Sequence, residues 1–204
     1  MSNLKSIVEC LIFVADSPLS FARICDILSE YDKEHLRSSL IELLRDYNSD
    51  ERGIFLSEVA EGYQFRTCKA NAEFIRRLVK TTTSKLSKPA LESLAITAYR
   101  QPITRAEIEY LRGVDSGGVL RTLLDKKLIK ILGKKNVPGK PLIYGTSRRF
   151  LEIFNLRDLE SLPTLKEMRE LEEAGIFEQQ QELPLEDSIE NRFPPDLPAV
   201  TGKD

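Results

Sequence analysis

The sequence predicts a mostly helical α+β chain with small β hairpins, in which one compact unit occurs twice ahead of an acidic tail. Three observations predict it. Apolar residues recur at i, i+3, i+4 and i+7 in several segments, the period of a helix that buries one face. That period gives way to short alternating runs after Gly53 and again after Leu128, as strands require. The same order of elements, with a proline closing the first helix each time, returns about 83 residues later.

The first helix is marked by Leu4, Ile7, Val8, Leu11, Ile12 and Ala15, and Ser17-Pro18 ends it because proline lacks a donor and restricts its predecessor. Ser20 caps a short helix carrying Ile24, Ile27 and Leu28. A third helix starts near Asp32 and aligns Leu36, Leu40, Leu43, Leu44 and Tyr47 on one stripe. Ile54–Ala60 and Tyr63–Thr67 read as strands, with Glu61-Gly62 as the hairpin turn.

In the second copy Leu91, Leu94, Ala95, Ala98 and Tyr99 mark a helix that Gln101-Pro102 breaks. Thr104 and Glu107 have capping-box spacing ahead of a short helix with Ala106 and Ile108. A third helix begins around Asp115 and turns Leu120, Leu123, Leu124 and Leu128 inward. Ile129–Leu132 and Leu142–Tyr144 form a hairpin around Pro138-Gly139. Helix, short helix, helix and hairpin is the winged-helix plan, so the expected fold is two tandem winged-helix domains. Ala72–Lys80 adds a short helix with Phe74, Leu78 and Val79, and Phe150, Leu151, Phe154 and Leu156 add another after the second hairpin. The expected division is 1–80 for the first domain with its linker helix, 81–87 for the linker, 88–163 for the second domain and 164–204 for the tail.

Composition narrows the function classes. With 41% hydrophobic and 30% charged residues, the 204-residue chain is an ordinary globular protein, and its net charge of −2 gives no global pull toward DNA or anionic lipid. The charge is unevenly spread: residues 81–163 hold fifteen Lys+Arg against eight Asp+Glu, and residues 164–204 hold four against eleven. The basic middle suits DNA or a charged protein partner. The tail is too poor in apolar residues to offset the entropy of ordering, and disorder is expected beyond a short helical stretch over 165–171. The longest apolar run, Leu11–Ala15, is too short for a membrane span, and the N-terminus has no cleavage pattern, so a cytoplasmic location is expected. Cys10, Cys25 and Cys68 share no CxxC spacing; Cys10 and Cys25 are expected in the core as free thiols.

Catalytic constellations are missing from the pattern. His35 is the one histidine, so a metal site would lack its usual ligands, and no serine sits in a GxSxG elbow. The glycines from Gly113 to Gly118 lack the Lys-Ser/Thr ending of a phosphate loop, and Pro141 follows Lys140 where a hydroxyl residue should stand. The chain is expected to be no enzyme and to carry no cofactor or metal.

Two binding classes remain. Winged helices read DNA by inserting the start of the third helix into the major groove. Here that start is Asp115, Ser116, Gly117 and Gly118, which repels phosphate and offers little to read a base. Arg121, Lys126, Lys127, Lys130, Lys134, Lys135 and Lys140 still permit weak, non-specific phosphate contact, and a DNA-binding transcriptional regulator is the alternative function. A protein partner is the other class. Cys10–Ala15 is apolar nearly all round, so Phe13 and Val14 predict a second buried surface, either a dimer contact or a contact between domains, although a flanking hairpin could also cover it.

The stretch Leu91-Glu-Ser-Leu-Ala-Ile-Thr-Ala-Tyr-Arg-Gln-Pro-Ile-Thr-Arg-Ala-Glu-Ile-Glu109, followed by Arg112–Ser116, Leu120–Leu124, Gly139–Thr146 and Phe150–Leu156, resembles the segregation and condensation protein B family. The likeness runs over residues 3–165 and is strongest in the second unit. Lys135, Lys140 and Asn155 depart from it, standing where arginine or glycine is common, and lysine cannot reproduce a bidentate guanidinium contact. The resemblance implies a homodimer formed through the first domains and a second domain that grips a kleisin, segregation and condensation protein A. Through the kleisin it implies a link to an SMC ATPase in chromosome condensation and partition at the nucleoid. A groove for a kleisin helix needs apolar anchors and a polar rim; the expected contact residues are Tyr99, Arg100, Gln101, Arg105 and Arg112. Tyr99 could equally complete a core stripe, and Arg112 could pair with Asp115.

Overall fold

The computed structural model describes residues 4–49, 51–79, 86–164 and 166–167. Its first unit comprises α1 (Leu4–Val14), α2 (Phe21–Ile27), α3 (Lys33–Asp46), β1 (Ile54–Val59) and β2 (Gly62–Thr67). The Ser20 hydroxyl accepts from the Arg23 N–H at 3.3 Å, and the Asp32 carboxylate from the Glu34 N–H at 2.9 Å. Each cap satisfies a donor that the first turn of its helix would otherwise leave orphaned. Val8, Ile12, Ile24, Leu28, Leu36, Leu40, Leu43 and Leu56 form the core. A 3-10 turn at Lys69–Asn71 leads into α4 (Ala72–Val79), none of whose residues is buried.

The second unit comprises α5 (Lys88–Arg100), β3 (Ile103–Thr104), α6 (Arg105–Arg112), α7 (Gly117–Asp125), β4 (Ile129–Lys134), β5 (Leu142–Thr146) and α8 (Arg148–Ile153). Ser87 caps α5 and a complete capping box joins Thr104 and Glu107 at the start of α6. Ser93 and Thr97 are buried on α5 without loss, because each hydroxyl donates to the carbonyl four residues back, at 2.9 and 2.8 Å. β3 joins the hairpin, so the sheet has the antiparallel order β3-β5-β4. The register slips between Ile131 and Gly133, leaving Leu132 as the extra residue of a bulge.

The order of helices and hairpin is the expected one in both copies, and the described residues are mostly helical with two small sheets. Three particulars differ from the sequence reading. The turn of the first hairpin is Ala60-Glu61, both at positive φ (48° and 56°), and Gly62 already belongs to β2. Glycine at 62 answers a different need: a Cβ there would lie 2.9 Å from the Leu19 carbonyl carbon. Leu19 crosses at that point because its N–H and C=O pair with Tyr63, each bond 2.9 Å. Second, Cys10 is exposed on α1 rather than buried. Third, Ser87 works as the cap of α5, one residue before the expected start of the second domain; linker residues 80–85 lie outside the described residues. So does the tail beyond Glu167, although Thr164 and Glu167 already exchange capping contacts, Thr164 N–H to Glu167 carboxylate at 2.6 Å.

The two units meet at the turn of the first hairpin. Val59 and Ala60 are fully buried in the second core, beside Leu94, Leu128, Phe150 and Leu151. The Ala60 and Glu61 N–H groups donate to the Leu156 and Arg157 carbonyls, both at 2.8 Å. Arg148 donates to the Ala60 carbonyl at 2.9 Å and to the Pro18 carbonyl at 3.0 Å. Arg66 on β2 donates to the Glu152 carbonyl at 2.7 Å. These bonds hold Ala60 and Glu61 in a conformation that side-chain-bearing residues seldom adopt. No helix among the described residues is long and apolar enough to cross a membrane.

Candidate functional site

Of the five residues expected to meet a partner, Tyr99, Arg100, Gln101 and Arg105 lie where α5 ends and α6 begins, whereas Arg112 ends α6 and reaches back toward the start of α5; the structure gives them different duties. Gln101 is structural: its amide nitrogen donates to the Ala98 carbonyl at 3.1 Å, and its Oε1 accepts from the Thr146 N–H at 2.8 Å. That grip needs a bare backbone on β5, since a Cβ on Gly145 would lie 2.7 Å from Gln101 Oε1. Tyr99 leaves the core stripe and donates its hydroxyl to the Pro163 carbonyl at 2.7 Å, pinning the segment after α8. Burial, with Glu167 adding repulsion, raises its phenol above the usual tyrosine range.

Arg112 is also internal. Its side chain is only 6% exposed; it donates to Ser116 Oγ at 2.8 Å and reaches Glu92 at 3.5 Å, while its Nε has no partner among the described residues. Asp115 pairs with Arg105, and Arg105 also bonds Glu109 at 2.6 Å. Glu109 in turn accepts the Ser116 N–H at 3.0 Å, and this bond, followed by the Arg105 charge, holds its carboxyl below the ordinary range. The Arg105 guanidinium lies against Gly117, where a Cβ would come within 2.8 Å. The start of α7 is thus occupied by an ion cluster from α6, and its two glycines present no side chain to a groove.

Arg100 alone of the five is exposed with no side-chain bond among the described residues, and it lines a groove with Pro102, Ile103, Glu107, Tyr110 and Leu111. Tyr110 is 87% exposed and Leu111 is exposed beside it, while Leu91 on the first turn of α5 and Val114 after α6 are also exposed on this unit. The residues 110, 111 and 114 were not singled out by the sequence reading, although Tyr110 and Leu111 lie beside Ile108 on a helix too short to bury three faces. Glu107 bounds the groove on its polar side. It accepts from Lys135 Nζ at 2.6 Å and from the Thr104 N–H at 2.8 Å, and these bonds, Lys135 first, bring its carboxyl down to about 2. Apolar anchors with a charged rim are what an amphipathic helix recognises.

A second exposed apolar surface lies on the first unit. Phe13 and Val14, the residues expected to be buried by a second contact, are 71% and 75% exposed. Val14 lines a shallow groove with Ile7, Cys10, Leu11, Leu19 and Ile27. The exposed Phe74, Leu78 and Val79 of α4 add to the apolar surface of this unit.

A family profile described as "Segregation and condensation complex subunit ScpB" matches residues 6–165. Among curated relatives, segregation and condensation protein B of Syntrophotalea carbinolica is 53% identical over 83% of this chain and 85% of its own length. That of Myxococcus xanthus is 45% identical, but the match spans only 51% of that longer protein, and that of Moorella thermoacetica is 44% identical over 85% of its length. Among solved structures, ScpB from Mycobacterium tuberculosis shares 31% identity over 75% of this chain and 95% of its own, with a TM-score of 0.36. The dimer of a ScpB N-terminal domain complexed with ScpA peptide shares 33% identity over 36% of this chain and 91% of its own, with a TM-score of 0.33. The match of most of the chain to the profile, and the identities of 44–53% with the curated proteins, make this chain a member of the segregation and condensation protein B family.

Proposed function

We propose that this chain is a non-catalytic, homodimeric subunit that binds the kleisin, segregation and condensation protein A. Through the kleisin it acts with an SMC ATPase in chromosome condensation and partition, in the cytoplasm at the nucleoid. Each unit is read as a winged helix turned from nucleic acid to polypeptide. The observation that carries this reading is the exposed apolar cluster at the α5–α6 corner, rimmed by Arg100 and Glu107, on a member of a family named for segregation and condensation. Occupation of the α7 start by the Arg105 cluster favours protein over bases. Arg105 and Arg112 serve as positioning residues, Arg100 and Tyr110 as direct contacts. The α1 face with Phe13 and Val14 pairs the two copies.

Isothermal calorimetry with the kleisin tests the main claim. Binding at micromolar concentration or tighter is expected, and Tyr110→Ser weakens it about tenfold or more, as loss of an aromatic anchor does. No heat at that concentration overturns the reading, and a steep, operator-specific DNA affinity replaces it with a transcriptional regulator. Light scattering tests the dimer: the unaltered chain has twice the chain mass and Phe13→Glu halves it, whereas a chain of single mass before substitution refutes the pairing.

A further inference from the structure

The helix α4 (Ala72–Val79) has eight residues, and none of them is buried. Isolated helices shorter than about 12–15 residues are marginal in water, so packing must supply what length does not. The sequence of α4 is one-sided: Phe74, Ile75, Leu78 and Val79 fall on one side, Glu73, Arg76 and Arg77 on the other. Leu78 is 83% exposed and Phe74 66%, and Val79 is half-exposed. A short helix with such a face holds its shape by lying on an apolar surface.

The first unit offers a surface of matching form. The groove between α1 and α2 is lined by Ile7, Cys10, Leu11, Val14, Leu19 and Ile27, and the first four follow the spacing of one helix face. The lining stretch of α1 from Ser6 to Val14 and the whole of α4 are each about 12 Å long at 1.5 Å per residue. Charge matches as well. Asp16, Asp26 and Glu30 stand exposed around Ala15 and Ile27 against one arginine, Arg23, whereas α4 brings Arg76 and Arg77 against one Glu73. The groove is out of place for the α4 of its own chain. Leu19 pairs with β2 near the hairpin tip. The turn before α4 is tied to the opposite corner, where the Cys68 N–H donates to the Gly53 carbonyl at 3.0 Å and its thiol to the Arg52 carbonyl at 3.1 Å.

We infer that two copies of the chain exchange α4, with Phe74, Leu78 and Val79 of each seated in the α1–α2 groove of the other. The inference rests on the reading that the chain pairs through α1, and it names what fills the groove. A twofold axis repeats the contact, so the exchange closes at two chains. Area supports it: Phe13 and Val14 supply a small part of the about 800 Å² that each partner of a stable interface buries, and the α4 side chains bring in as much again.

Thiol coupling in the whole 204-residue chain tests this. Cys10 is exposed in the groove, so Leu78→Cys puts a second thiol where α4 of the other copy is expected. Oxidation with diamide should join Cys10 to the introduced thiol between chains, which doubles the mass on a non-reducing gel, and peptide mass spectrometry identifies the pair. Leu78→Glu, at a position the fold leaves exposed, should raise the dimer dissociation constant about a hundredfold or more, because both copies of the contact are lost. Circular dichroism identical to the parent shows that the variants fold. A dimer that survives Leu78→Glu yet separates with Phe13→Glu would keep the α1 pairing and overturn the exchange. A link confined to one chain, or links joining only like positions, would overturn it too. So would a Cys10 that alkylates freely in the dimer and becomes protected only on adding the kleisin. A chain of single mass before any substitution would end both readings.

Discussion

The two hairpins are built on one plan and put to opposite use. The tip of the first, Ala60-Glu61, is buried against the second unit and gives its N–H groups to Leu156 and Arg157. The tip of the second, from Lys134 to Lys140, is exposed and keeps its charge. Side-chain chemistry decides between them. A tip of Val59, Ala60 and Gly62 is small and apolar enough to enter a core, whereas three lysines and a proline turn cannot. The lesson is that a repeated topology does not repeat its surfaces, and that the first hairpin supplies part of the core of the second unit.

The comparison can be broken at several points. The largest effect is expected from Leu123→Ala on α7, fully buried in the shared core, which should cost about 2–5 kcal/mol of stability by calorimetry. Loss of first-unit signals in the same transition is the expected mark of the shared core; a first unit that melts unchanged would refute it. Arg148→Ala removes two bonds to the Ala60 and Pro18 carbonyls and should cost about 1.5–3 kcal/mol, splitting one unfolding transition into two. A single unshifted transition would show that the arginine is dispensable. Ser20→Ala and Ser87→Ala each delete a helix cap, one per unit, and should cost about 0.5–2 kcal/mol, with nearly equal values if the two copies rely on caps alike.

The smallest expected effect is on pH. Glu107 titrates near 2 in the fold against an ordinary 4.5, so its bonds to Lys135 and Thr104 add stability that is fully present above about pH 5. That contribution fades as the pH falls toward 2, where the folded carboxyl takes up its proton. Lys135→Met should flatten melting temperature against pH across this window while leaving values at pH 7–8 close together once the lost pair is allowed for. A slope equal to that of the parent would assign the acid sensitivity elsewhere.

Much of this arrangement was legible before any coordinates. Helices with one apolar stripe, prolines after Ser17 and Gln101, and the Thr104–Glu107 box act locally, so their residues report them directly. What escaped were features decided by distant neighbours. Gly62 looked like a turn glycine because its true reason, the crossing of Leu19, lies 43 positions away in sequence. Cys10 looked like core because its neighbours are apolar, yet it faces the exposed side of α1. β3 is two residues long and has no alternation to read. For the residues expected to meet a partner, sequence could place Tyr99 to Arg105 at the α5–α6 corner and Arg112 at the end of α6, but whether an arginine points outward depends on who pairs with it. Asp115 chose Arg105, Arg112 turned inward to Ser116, and Arg100 was left on the surface.

The bonds that capture the Ala60-Glu61 tip have a consequence for how the chain comes apart. Peptide cleavage anywhere between residues 80 and 85 severs the covalent connection yet leaves the five interlocking hydrogen bonds untouched. A nicked chain should therefore travel as one particle through a sizing column, and fall into two fragments only when denaturant dissolves the weld.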